Sequence, residues 1–205
     1  MRDHFTLVEL KDGLRRIAGK MNACREELNT LDGQLGDGDL GITMTTGFAN
    51  VMEQIDTLPA DVGAALFACA QAFVRGRASS FGTLLATGFM AAAKTVKGRE
   101  QVPFTAVPDM LREAVEKMAQ RGKSALGDKT VLDALEAARI AAEGAAGDGA
   151  KMLEAVVEAV EGALEEYRTK PCRQGRARIF AEKSAQMYDP GMFAIKRAVD
   201  GMAGK

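Results

Sequence analysis

The chain has 205 residues, 47% hydrophobic and 27% charged, with a formal net charge of −1. That length fits one compact domain, residues 1–205, with a core of its own, and a near-neutral chain without a basic block is no electrostatic binder of nucleic acid. Aromatic residues make up 5% and tryptophan is absent, which excludes a stacking platform for single strands as well.

The N-terminal segment carries the clearest pattern. Leu7, Leu10, Leu14, Ile17, Met21, Cys24 and Leu28 step by three and four, which predicts a helix from about Thr6 to Leu28. It delivers the chain into Asp32-Gly-Gln-Leu-Gly-Asp-Gly-Asp-Leu-Gly41, where Asp32, Asp37 and Asp39 crowd together between glycines. Asp and Gly are poor helix formers, so a loop is expected here. Residues 43 to 56 read as helical, and Pro59 can open the next helix, to about Val74. A polar interruption, Arg75-Gly-Arg-Ala-Ser-Ser80, precedes a helix marked by Leu84, Leu85, Phe89, Ala92 and Ala93.

Pro103 and Pro108 bracket the start of a helix that reaches about Gln120 and ends at Arg121-Gly122. A second glycine loop, Gly122 to Asp128, leads to a helix from about Thr130 to Ala142, and 145–149 is a flexible break. Leu153, Val156, Val160, Leu164 and Tyr167 form another stripe, closed by Pro171 and Gly175, and two shorter helices near 176–185 and 191–202 follow. Strand signals are nearly absent. The expectation is an all-α fold of about eight helices and no sheet.

No stretch approaches the roughly 20 apolar residues of a membrane span, and the N-terminus lacks the apolar core of a signal peptide; a cytoplasmic protein without membrane contact is expected. Cys24, Cys69 and Cys172 are far apart and form no CxxC pair, so neither zinc nor a disulfide framework is indicated. Cys24 and Cys69 read as small core residues. The single histidine, His4, leaves no obvious nucleophile–base pair.

Crowded carboxylates repel, and a bound cation relieves the repulsion. Hard oxygen ligands favour magnesium or calcium. Gly36, Gly38 and Gly41 match a dinucleotide-binding pattern, but a helix precedes them, and aspartates would repel a pyrophosphate. An EF-hand loop would need glycine and glutamate where Ile42 and Phe48 stand. Gly122-Lys123-Ser124 resembles the end of a P-loop, yet the required earlier glycine is Lys117. What survives is a magnesium site followed by a helix starting near Ile42 or Thr43, whose N-terminus suits phosphate. The loop at 77–80, with its hydroxyls and amides, has the same character. The plain alternative is that Asp37 and Asp39 merely cap a helix.

At these residues the chain resembles the nucleotide-binding L subunit of dihydroxyacetone kinases, which also occurs as the C-terminal L domain of single-chain enzymes. The resemblance covers nearly the whole chain. It rests on Leu31-Asp32 through Gly36-Asp37-Gly38-Asp39 to Gly41, with Gly47-Phe48; on Arg121-Gly122-Lys123-Ser124, Gly127-Asp128-Lys129-Thr130 and Leu132-Asp133-Ala134-Leu135; and on Gly175-Arg176-Ala177, Glu182-Lys183-Ser184 and Asp189-Pro190-Gly191. It implies a barrel of about eight antiparallel amphipathic helices with nucleotide bound at one end. Asp32, Asp37 and Asp39 would hold two Mg2+ ions that bridge the phosphates of ADP or ATP. The backbone of Leu40, Gly41, Ile42 and Thr43 and the hydroxyls of Ser79 and Ser80 would contact phosphate oxygens. Gly122 and Val131 would line the adenine pocket, and Arg176 with the Asp189-Pro190-Gly191 turn would close over the nucleotide.

In that family a separate K subunit or domain holds dihydroxyacetone covalently through a histidine, so this chain is expected to be half of a kinase acting with a K partner. The phosphate donor is left between exchangeable ATP and a phosphotransferase-system protein that rephosphorylates bound ADP; a homodimer is left open. Two departures from the family pattern, Leu40 for histidine and Phe81 for glycine, bear on substrate, donor or nucleotide exchange. The competing readings are a non-catalytic nucleotide-binding partner of a transcription factor and a helical adaptor.

Overall fold

The apolar stripe of the N-terminal helix continues past Leu28, and the helix follows it. In the computed structural model, which describes residues 3–76, 79–145 and 147–205, α1 (Leu7–Ala23) opens on a capping box. The Thr6 hydroxyl accepts the Val8 N–H at 3.2 Å, and the Glu9 carboxylate accepts the Thr6 N–H at 3.0 Å. Cys24 bends the rod, but bonds from Cys24 N–H to Lys20 C=O and from Leu28 N–H to Cys24 C=O, both 3.0 Å, carry the ladder into α2 (Arg25–Leu35). Asp32 and Gly33 are therefore helical, contrary to the loop expected from their composition. Leu28, Leu31 and Leu35 explain why: Leu28 and Leu35 are fully buried. Burial is worth about 1.5–3 kcal/mol per leucine, against helix-propensity losses of about 1 kcal/mol or less at Asp and Gly.

The next helices are α3 (Leu40–Glu53), α4 (Val62–Phe73), α5 (Ser80–Thr95), α6 (Val107–Gly122), α7 (Val131–Gly144) and α8 (Gly149–Arg168). A 3₁₀ stretch (Arg176–Phe180), the one-turn α9 (Ala181–Ser184) and α10 (Pro190–Ala203) complete the order. The helix expected at 176–185 is thus split. α4 starts from Asp61, whose Oδ1 accepts the Ala64 N–H at 2.9 Å, rather than from Pro59. Arg77, Ala78 and Ala146, which fall in the expected phosphate loop and flexible break, lie outside the described residues.

Neighbouring helices close a ring. α1 packs on α3, then α3 on α4, α4 on α5, α5 on α6, α6 on α7, α7 on α8, α8 on α10, and α10 returns to α1. Counting α1 and α2 as one bent rod and setting α9 aside leaves the eight rods of an all-α barrel. Short connections make the pairs α4–α5 and α7–α8 antiparallel. The core inside the ring includes Met21, Leu28, Met44, Leu132 and Met192, and no helix of the described residues is long and apolar enough to cross a membrane.

One expectation fails outright. β1 (His4–Thr6) pairs antiparallel with β2 (Gln101–Pro103), Phe5 opposite Val102. Three residues are too few for an alternating pattern to show, and the pair is held by burial of Val102 under Phe5. Cys24, Cys69 and Cys172 are free and buried, and burial pushes the Cys69 thiol up to about 11.

α4 and α5 approach at Gly63. A Cβ there would lie 2.7 Å from the Ala93 carbonyl oxygen and 2.7 Å from Lys97 Cα, both backbone atoms. Gly63→Ala is expected to keep the helical circular dichroism and lose about 1–3 kcal/mol of stability by overpacking. Urea melts test this; an unchanged midpoint would contradict the tight crossing.

Candidate metal and phosphate site

Asp32 stands in the last turn of α2 and folds the following loop back on itself. Its Oδ2 accepts the N–H of Asp39 at 3.0 Å and of Leu40 at 3.3 Å. One carboxylate oxygen from each of Asp32, Asp37 and Asp39 then lies within 4.8 Å of the others. Asp32 and Asp39 are half-buried and Asp37 is exposed. Burial, together with the Asp37 charge, pushes the Asp32 carboxyl above its ordinary range, against the pull of the amides it accepts. The capping alternative concerns Asp37 and Asp39, but the Asp39 side chain makes no cap bond to α3, and it is Asp32 that accepts two amides at the start of that helix. Three clustered carboxylates are a hard-oxygen donor set of the kind Mg2+ takes, so the residues present fit that ion. Arg176 supplies positive charge here through an ion pair with Asp37.

The start of α3 is held just as tightly. Asn29, one turn before Asp32, accepts the Ile42 N–H through Oδ1 at 3.2 Å. The Thr43 N–H donates to the Asp39 carbonyl at 2.9 Å, so three of the amides expected to face phosphate, those of Leu40, Ile42 and Thr43, are engaged within the protein. Gly41 must be glycine: a Cβ would meet the Arg25 carbonyl and lie 2.7 Å from Asn29 Oδ1. Asn29 was missed by sequence reasoning; its only signal is its place three residues before Asp32 on the same helix face.

Thr43 joins α3 to α5. Its hydroxyl donates to Ser79 Oγ at 3.1 Å, and Ser79 Oγ accepts the Gly82 N–H at 3.2 Å as the cap of α5. Ser80 is exposed in the first turn of that helix. A second group gathers where α7 and α10 begin. Asp189 caps α10 by accepting the Met192 N–H at 2.8 Å. A Cβ on Gly191 would lie 3.0 Å from the Phe81 ring and 3.4 Å from Val131 Cβ. So Asp189, Pro190, Gly191 and Val131 come together with Phe81, one of the departures noted above. Val131 is buried, while Gly122 is exposed at the end of α6, near Leu84 of α5.

The segment between α8 and α10 forms a strap against α2. Cys172 and Ala177 bury with Leu35, and Met187 packs on them. Arg173 N–H donates to the Asp128 carbonyl at 3.0 Å. Lys129, quoted above only as part of a motif, is buried beneath the strap and donates to its backbone. A cleft of about 640 Å³ between α2, α8 and α10 borders Leu31, Tyr188 and Phe193, but its cations Lys196 and Arg197 are already paired with Glu161 and Glu27.

A family model described as the DAK2 domain matches residues 34–204, beginning two residues after Asp32. The ADP-binding subunit DhaL of the PEP-dependent dihydroxyacetone kinase of Escherichia coli (strain K12) is 29% identical over 192 residues, 91% of either chain. Triokinase/FMN cyclase of Homo sapiens is 30% identical over 195 residues; the match covers 91% of this chain and 33% of that protein. L-erythrulose kinase of Pectobacterium atrosepticum is 29% identical over 201 residues, 91% of this chain and 34% of the relative. Among solved structures, the dihydroxyacetone kinase from C. freundii in complex with AMP-PNP and Mg2+ aligns with a TM-score of 0.75 at 20% identity. That alignment covers 95% of this chain and 33% of the other, a likeness of fold.

Burial pushes the Asp189 carboxyl up to about 7; the Met192 N–H and Lys129 pull it down and Asp133 pushes it further up. Between about pH 4 and 7 the folded chain then holds a proton that the unfolded chain has lost. Asp189 therefore makes stability fall as pH rises through that window, by at most about 1.4 kcal/mol per pH unit. Asp189→Asn keeps an oxygen for the Met192 N–H and is expected to flatten the slope in urea melts. Identical pH dependence in the two proteins would refute the assignment.

Proposed function

The chain belongs to the DAK2 domain family, and from that premise we propose that residues 1–205 form one nucleotide-binding unit. In this reading it is the phosphoryl-transfer subunit of a kinase acting on dihydroxyacetone or a related small ketose. The observation that carries the reading is the cluster of Asp32, Asp37 and Asp39 at the start of α3, with carboxylate oxygens within 4.8 Å of one another. Asp32, Asp37 and Asp39 would hold Mg2+, two ions by the family resemblance, which when bound neutralises phosphate charge and fixes the phosphates for transfer.

The protein's own groups supply the rest. Thr43 and Ser79 present hydroxyls between α3 and α5, with Ser80 exposed beside them, and Leu40 to Thr43 form the adjoining helix start. Arg176 brings a guanidinium to the carboxylate cluster, where it can pair with phosphate oxygens. Val131, Phe81 and Gly191 make an apolar corner suited to a flat base, with Gly122 at its edge and Asp189 and Pro190 closing the turn. Phosphoryl transfer needs little covalent help from protein, so positioning and charge of this kind suffice.

No histidine is available to hold the ketose here. His4 lies in β1, before the rod formed by α1 and α2, and Asp32 stands near the rod's far end. At about 1.5 Å per residue, the two are separated by roughly 40 Å along the rod. The sugar is accordingly presented by a K-type partner. Of the two donors, exchangeable ATP and bound ADP recharged by a phosphotransferase-system protein, the second is favoured by the name of the Escherichia coli relative, a PEP-dependent kinase subunit.

The test is transfer of labelled phosphate to dihydroxyacetone or erythrulose by the chain together with a K-type subunit, with ATP or a recharging system supplied separately. Asp37→Asn and Asp39→Asn are each expected to abolish transfer while helical circular dichroism is kept; full activity in both would sink the metal assignment. His4→Gln should leave transfer unchanged, and a loss there would require a catalytic role at the N-terminus.

A further inference from the structure

Lys129 takes no part in the chemistry above, yet it is among the largest fully buried side chains of the described residues, with 1% exposure. Its backbone lies at φ +61, where glycine is the least strained residue. Its ammonium directs three N–H groups at four carbonyl oxygens, those of Arg168 (3.1 Å), Lys170 (2.7 Å), Ser184 (2.8 Å) and Met187 (2.7 Å), one N–H being shared between two of them. All four acceptors are backbone carbonyls, so the buried charge is solvated by dipoles, much as a metal ion would be. A neutral side chain of equal volume would fill the space but leave those carbonyls without this donor.

The four carbonyls belong to two short stretches, 168–170 at the end of α8 and 184–187 at the end of α9. These are the two feet of the strap. Further bonds join them: Gln186 N–H donates to the Arg168 carbonyl at 2.8 Å, and Cys172 N–H to Ser184 Oγ at 2.8 Å. Between the feet the strap carries Arg176 to Asp37, and just beyond the second foot Asp189 starts α10.

We propose that Lys129 is a positioning residue for nucleotide: by drawing the two feet of the strap together, its ammonium sets where Arg176 and the Asp189–Gly191 turn stand relative to the aspartate cluster. This rests on the nucleotide-binding reading given above. Because the caged carbonyls lie on the strap and its feet, loss of the ammonium acts on the strap while the ring of helices persists.

The experiment measures Mg·ADP binding to the full chain by calorimetry, alongside trypsin cleavage at the strap residues Arg173, Arg176, Arg178 and Lys183. Lys129→Met is expected to keep its helical signal, to weaken Mg·ADP at least tenfold and to expose the strap to rapid cleavage. Arg176→Ala should also weaken binding. Adding Lys129→Met to it should then cost less than Lys129→Met costs alone, because part of its effect runs through Arg176. Wild-type affinity in Lys129→Met would overturn the proposal, as would losses that multiply in the double variant. Should Lys129→Met fail to fold, the wild-type chain carries the test by hydrogen exchange. Mg·ADP should slow exchange at the Cys172, Arg173 and Gln186 amides at least tenfold, and unchanged exchange there would overturn the proposal. Failure of the wild-type chain to bind Mg·ADP at all would refute the nucleotide reading itself and this inference with it.

Discussion

One oxygen of Asp32 accepts the amides of Asp39 and Leu40, and those two hydrogen bonds turn the chain from α2 into α3 within four residues. Bonds to a charged acceptor are worth roughly 1.5–3 kcal/mol each, enough to hold a reversal that glycines at 36 and 38 leave otherwise loose. The reversal sets Asp37 and Asp39 beside Asp32, brings Gly41 against α2 and aims α3 so that Thr43 reaches Ser79. A single carboxylate thus ties the architecture of the ring to the place where cations and phosphates would be handled.

Charge is distributed differently on the two sides of the barrel seam. Lys196 of α10 is held by both oxygens of Asp200, at 2.6 and 2.8 Å, and by Glu161 of α8 at 2.7 Å. Arg197 reaches Glu27 of α2 with two nitrogens, at 2.5 and 3.0 Å. These pairs satisfy each cation with carboxylates and tie α10 to α8 and α2. The aspartate cluster is the reverse case. Three carboxylates lie within 4.8 Å of one another, with Asp37 paired to Arg176 among the described residues, and crowding of this kind is relieved by an incoming cation.

Much of this was legible in the sequence because it repeats. Stripes such as Leu153, Val156, Val160 and Leu164 mark one face at helical spacing and so mark the helices, whereas their closure into a barrel is implied by the family resemblance. The aspartates announced themselves by crowding. What stayed hidden depends on single long-range contacts. Asp32 and Gly33 look like loop residues until Leu35 is seen to be buried under the strap. Asn29 is one polar residue among many on α2 until the Ile42 amide meets it. Lys129 reads as an ordinary surface lysine, since nothing local shows that four carbonyls from 39 to 58 residues later surround it. The β1–β2 pair joins segments about a hundred residues apart and is too short to carry any period of its own.

The ring is completed by the contact of α1 with α10, the most distant pair of helices in the sequence. Every other wall can form between near neighbours as the chain emerges, but this one must wait for the last helix. Until α10 docks, the apolar faces of α1 and α8 border an open slot, and the barrel interior is wet. Closure of a loop spanning nearly the whole chain then becomes a late, entropically costly step, and the slowest part of folding is expected at the seam rather than at the cluster of aspartates. A half-made barrel with an open seam would expose apolar faces to aggregation, so the yield of folded chain is expected to depend on how quickly that seam closes.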